Sequence, residues 1–106
     1  MSLCWGIDLG GTKIEAVVLD NNKIIKRERI PTEAQHGYQH ILRRIRTLLD
    51  GFKADLGAYP KALGIGTPGR LDPSTSRMIN CNTICLNGKP LKFDLEQCLS
   101  CEVHIE

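Results

Sequence analysis

No apolar run in this sequence exceeds a few residues, so nothing in it reads as a membrane span or as the apolar stretch of a secretory signal. Neither charge sign dominates. Fourteen Lys and Arg stand against 12 Asp and Glu, interspersed along the chain for a net charge of +2, and no basic stripe is present to track a phosphate backbone. Nucleic acid and membrane are therefore not expected partners. Five cysteines is an odd number, and with no secretory signal a complete disulfide framework is not expected. A cytoplasmic protein with reduced thiols fits better. Internal repeats, low-complexity segments and a linker that would divide the 106 residues are also missing, so a single domain is expected.

What is present is a regular alternation of element signals. Cys4 to Leu9, Lys13 to Leu19 and Lys23 to Ile30 read as three strands joined by two turns too short to hold a helix. Asn21 and Asn22 can take the positive φ angles of a tight hairpin. Thr32-x-x-Gln35 has the form of a capping box before a helix, with Gly37 able to delay its start to Tyr38. Ile41, Leu42, Ile45, Leu48, Leu49 and Phe52 then recur at helical period, with Arg43, Arg44 and Arg46 on a solvated face. Gly57 and Pro60 end that helix. A short strand from Ala62 to Ile65 and an irregular or hairpin segment from Arg70 to Asn82 follow. A second helix, with Leu91, Leu95 and Leu99 along one side, and a last strand from Glu102 to Ile105 complete the pattern. The order βββαβαβ implies an α/β fold with one mixed five-stranded sheet, its fourth and fifth strands parallel to the first.

The chemistry concentrates in Gly6-Ile7-Asp8-Leu9-Gly10-Gly11-Thr12-Lys13. An apolar strand delivers an acid, two glycines, a threonine and a lysine into one tight turn. Glycines let backbone N–H groups approach phosphate oxygens, and the Thr12 hydroxyl adds a donor. Asp8 can hold Mg²⁺ through its water shell. An ordinary glycine-containing hairpin turn has the same spacing. The P-loop pattern is absent, and a strand rather than a helix follows the glycines. Gly64-x-Gly66-x-x-Gly69 matches the dinucleotide fingerprint in form, but Pro68 and Pro73 break the helix it must open. Cys81-x3-Cys85 and Cys98-x2-Cys101 approach the spacing of a zinc site. Without knuckle glycines, and with the second pair at an expected helix end, they read better as buried small hydrophobes and a surface thiol.

The turn resembles the first phosphate motif of the actin and sugar-kinase superfamily, in particular its ROK branch. Gly64 to Gly69 resembles that family's G-x-G-x-P-G loop, Met78 to Leu91 its Asn-x-Asn segment ending in Asn-Gly-Lys-Pro-Leu, and Asp94 to Glu106 the helix and strand before its catalytic motif. The run around Asn80, Asn82 and Asn87 is closest to ROK fructokinases, with N-acetylglucosamine kinases next. The resemblance implies a ribonuclease H-like (actin-like ATPase) N-terminal lobe over residues 1–106, from a kinase that moves a phosphoryl group from MgATP to a hexose. Gly6, Asp8, Gly10, Gly11, Thr12 and Lys13 would face ATP and its metal, while Gly69, Asn82 and, more weakly, Asn80 would face the sugar. Each Asn has loop capping as an equal alternative, and Arg70 is at least as well explained as a loop-closing surface residue. The resemblance further implies a general-base Asp just after Glu106 and a zinc site only in the part beyond it; a homodimer is the expected assembly, since an apolar surface left by a lone lobe often meets a second copy. A sugar-responsive ROK regulator and a non-catalytic interaction module are the readings from other classes. The regulator would need a helix-turn-helix region before the phosphate motif.

Overall fold

The computed structural model describes residues 3–106. Three antiparallel strands, β1 (Leu3–Leu9), β2 (Lys13–Asp20) and β3 (Lys23–Pro31), lead into the helix α1 (Tyr38–Leu56). Strand β4 (Ala62–Gly66) is followed by the two-residue strands β5 (Arg70–Leu71) and β6 (Met78–Ile79), the helix α2 (Leu91–Leu99) and the strand β7 (Glu102–Ile105). The main sheet runs β3-β2-β1-β4-β7, with β4 parallel to β1 and β7 parallel to β4. The expected five-stranded mixed sheet and its strand directions are those observed. The segment after β4 forms a small separate hairpin, in which β5 pairs with β6.

Period-two alternation decides which side of the sheet is covered. Trp5, Ile7, Leu9, Ile14, Ala16, Val18, Leu63, Ile65 and Val103 are buried in one cluster with the apolar stripes of α1 and α2. The intervening residues, Gly6, Asp8, Glu15, Val17, Gly64 and Gly66, form the opposite face and line a shallow cleft. Between the helices, the Tyr38 hydroxyl donates to Asp94 Oδ2 at 2.6 Å. Burial, and then that bond, push the Tyr38 hydroxyl far above the usual phenol range, so it remains a donor at any working pH.

Features that depend on near neighbours match their local sequence signals. Asn21 and Asn22 have φ of 50° and 68°, the left-handed pair a tight hairpin requires. Gly57 closes α1 at φ 68°, its N–H donating to the Lys53 carbonyl. Two expectations fail. Thr32 does not cap a helix, because Gln35 lies in a short 3₁₀ turn, Ala34–His36, and α1 begins at Tyr38, the delayed start that Gly37, at φ 93°, was expected to allow, without a side-chain cap. Arg44 is not simply solvated, since its guanidinium donates twice to the Pro31 carbonyl at 3.1 and 2.9 Å and ties α1 to the end of β3.

Candidate functional site

Because β1, β4 and β7 are parallel, their C-terminal ends lie side by side at one edge of the sheet. Strand β1 carries Asp8 to that edge, and the chain turns back through Gly10, Gly11 and Thr12 into β2. The Gly10 N–H donates to the Lys13 carbonyl at 2.9 Å, and a Cβ on Gly10 would stand 2.9 Å from the same oxygen. Only glycine closes a turn this tightly. Gly10 is therefore engaged in shaping the turn, and its amide is not free for a ligand.

Thr32 holds the turn from behind. It is fully buried, its N–H donating to the Thr12 carbonyl at 2.9 Å and its hydroxyl to the Gly10 carbonyl at 2.7 Å. Two carbonyls that would repel an anion are thereby occupied. Among the described residues, the exposed Gly11 and Thr12 have no hydrogen-bond partner for their N–H groups or for the Thr12 hydroxyl. Three unengaged donors on consecutive residues suit an anion with several oxygens. Lys13 is exposed at the start of β2.

Asp8 is exposed at the mouth of this turn, in a cleft of about 340 Å³ that Glu15, Gly66 and Glu106 also line. The Glu15 carboxylate is held by Arg29 at 3.2 Å, whereas Asp8 makes no ion pair among the described residues. A carboxylate with open lone pairs could accept from the waters of a hydrated magnesium ion, while the free donors of Gly11 and Thr12 line the adjoining cleft. Gly6 lies further back in the same cleft, where its missing side chain leaves room beside Val17.

A second cleft, of about 530 Å³, joins the turn to the expected sugar loop: Gly11 and Thr12 line one side, Pro68, Asn82 and Thr83 the other. The Asn82 side chain is exposed there, and Asn87 fixes the backbone that presents it. Asn87 Oδ1 accepts the Cys81 N–H at 2.8 Å, and Asn87 Nδ2 donates to the Cys81 carbonyl at 3.2 Å. Asn80 is exposed at φ 59°, a left-handed conformation that asparagine tolerates, and does not line this cleft. Arg70 is exposed in the β5 pairing with Ile79.

Gly69 has a packing reason of its own. A Cβ there would stand 2.5 Å from Cys81 Sγ and 2.5 Å from the Ile79 carbonyl, with the Cys81 nitrogen at 2.9 Å. Gly69→Ala is expected to lower stability at the upper end of about 1–3 kcal/mol, because two of those three atoms are backbone. Urea unfolding would check this: a midpoint unchanged from wild type means that the loop yields freely. Cys81 itself is buried, and that burial raises its thiol pKa. Cys85, Cys98 and Cys101 are half-buried. Among the described residues no three His, Cys, Asp or Glu side chains are gathered to hold a metal.

Three residues of this region escaped sequence reasoning: Thr32, Thr83 and Asn87. Thr32 carried a misleading signal, the capping-box pattern. Asn87 lay within a recognised motif that named no role for it.

Residues 4–106 match the model of the ROK family. The chain belongs to the ROK family. It is 34% identical over 104 residues to the N-acetyl-D-glucosamine kinase of Vibrio parahaemolyticus, a match covering 96% of this chain and 33% of that kinase. The ROK hexokinase of Thermus thermophilus superposes with a TM-score of 0.82 at 27% identity, covering 99% of this chain and 35% of that one. A ROK family glucokinase from Streptomyces griseus, solved with glucose and AMPPNP, gives a TM-score of 0.82 at 29% identity, covering 99% and 33%. The chain thus spans about a third of the length of these relatives, and the ROK fold expected from its motifs is the one it has.

Proposed function

We propose that this chain is the phosphate-binding lobe of an ATP-dependent hexose kinase. The observation that carries this reading is the turn itself: two free amides and a free hydroxyl on Gly11 and Thr12, with unpaired Asp8 at its mouth and Asn82 across the adjoining cleft. MgATP supplies the phosphoryl group and the cation that offsets its charge. The chain's own residues hold and orient. Gly11 and Thr12 donate to phosphate oxygens, Lys13 adds positive charge, Asp8 accepts from magnesium-bound waters, and Asn82 and the Gly69 backbone donate to sugar hydroxyls. Gly10 and Thr32 keep the donors in place, and Gly6 leaves space. Asn80 serves the loop bend before the sugar.

The acceptor is a hexose or an N-acetylhexosamine. Motif similarity favoured fructose, while the 34% identity to an N-acetyl-D-glucosamine kinase favours N-acetylglucosamine. The general base is an Asp following Glu106. The Glu106 N–H donates to the Ile65 carbonyl, which sets the end of β7 beside Asp8 at the nucleotide edge, so a base carried one or two residues on would enter the same cleft. A cytoplasmic homodimer fits this activity. No helix among the described residues is long and apolar enough to cross a membrane.

Titrating MgATP into the ¹⁵N-labelled chain tests the lobe directly. The amide signals of Gly11, Thr12 and Lys13 should move together with a dissociation constant of about 1 mM or weaker, since few contacts are made to the triphosphate. Shifts scattered over the surface, with the turn unmoved, would show that it is only a hairpin.

A further inference from the structure

The core contains two buried polar side chains among the described residues, Thr32 and Thr83, and both abut the Gly10–Thr12 turn. Their states differ. The Thr32 hydroxyl is bonded to the Gly10 carbonyl at 2.7 Å, whereas the Thr83 hydroxyl, on a residue only 7% exposed, has no hydrogen-bond partner. Thr83 Oγ1 stands 3.2 Å from the point that a side chain on Gly11 would occupy, so the hydroxyl lies close against the Gly11 backbone. A buried hydroxyl without a partner is destabilising, and such groups in a folded chain call for a physical reason.

The surroundings supply one. Thr83 lines the cleft that has Gly11 and Thr12 on one side and Asn82 on the other, between the phosphate donors and the sugar loop. Gln35, Asn82 and Cys85 also line the cleft with polar side chains, and none of them is bonded to the Thr83 hydroxyl. We propose that Thr83 is a phosphate-binding residue whose hydroxyl donates to the terminal phosphoryl group of the nucleotide when that group lies between the Gly11 turn and Asn82. The proposal rests on the kinase reading of the turn. It adds a donor that faces the transferred group rather than the middle of the triphosphate, and it links the sugar loop to nucleotide occupancy.

The two substitutions that separate this role from packing are Thr83→Val, which keeps the shape and removes the hydroxyl, and Thr83→Ser, which keeps the hydroxyl. Each labelled chain is titrated with inorganic tripolyphosphate and followed at the Gly11 and Thr12 amides, and its urea unfolding is measured alongside. Thr83→Val should unfold at the same or a higher urea concentration than wild type, because an unsatisfied buried group is gone, yet bind tripolyphosphate about five- to tenfold more weakly. Thr83→Ser should bind within about twofold of wild type. Equal affinity in wild type and Thr83→Val overturns the assignment while leaving the turn as a phosphate site. Weaker binding accompanied by a matching loss of stability, unrelieved in Thr83→Ser, also overturns it, since the side chain then matters only as packing. If the wild-type turn itself does not respond to tripolyphosphate, the kinase reading fails and takes this proposal with it.

Discussion

In a kinase of full length that carries this lobe, Asp8→Ala is expected to lower turnover on the order of a hundred- to thousandfold while leaving the folded state intact. The two effects separate because of where Asp8 sits. It is exposed on the uncovered face of the sheet and makes no ion pair among the described residues, so its removal takes away no native contact of consequence. Exposed substitutions of that kind stay within about 0.5 kcal/mol of wild type. On the proposed reading, Asp8 would accept from the waters of a bound magnesium ion that supplies charge compensation, and the alanine would remove that acceptor. Asp8→Asn should fall nearly as far, since an amide is a poor acceptor for metal-bound water. Steady-state kinetics across magnesium concentrations, with thermal unfolding in parallel, provides the check. Wild-type turnover with unchanged magnesium dependence in Asp8→Ala would reduce Asp8 to a turn residue.

The order of the elements could be read from the sequence because the relevant forces act over short spans. Ile41 to Phe52 repeats at helical period, and the same residues are buried along α1. Asn21-Asn22 occupies its hairpin because left-handed φ is a property of the residue itself. The Gly10–Gly11 turn is legible for the same reason: its two glycines mark a backbone conformation. What holds that turn could not be found this way. Thr32 reaches Gly10 across 22 positions of sequence, and in a linear reading its hydroxyl is indistinguishable from a helix cap. Thr83 contacts Gly11 only once β4, the β5–β6 hairpin and the Asn87 clamp have folded the loop back over the turn. Gly69 was singled out for the sugar, and it is also pinned by Cys81, a contact invisible without the hairpin.

Sequence also named Gly10 as a phosphate contact on the strength of its motif. In the folded chain the Gly10 amide is consumed inside the turn, and the donors that remain belong to Gly11 and Thr12. The motif singles out the turn, and its internal hydrogen bonds show which of its amides remain unengaged.

The 106-residue chain by itself is expected to show no sugar-dependent ATP turnover, although the proposed phosphate turn lies wholly within it. Phosphoryl transfer requires the nucleophile and the γ-phosphate to be aligned and a proton to be accepted as the new bond forms. Loss of the base alone typically costs about a hundred- to ten-thousand-fold. A chain spanning 33% of the Vibrio parahaemolyticus kinase also lacks most of the surface that would orient both substrates, and misplacement adds a further large factor. Coupled ADP release measures this most directly, run side by side on the 106-residue chain and on a full-length kinase carrying it, with MgATP and N-acetylglucosamine, fructose, glucose or mannose. The expected result is turnover by the full-length protein on at least one of these sugars, highest with N-acetylglucosamine or fructose, and none by the short chain. No turnover by the full-length protein on any of the four would contradict the kinase assignment, and sugar-dependent ADP release by the short chain at a comparable rate would contradict the need for a base and a second lobe beyond Glu106.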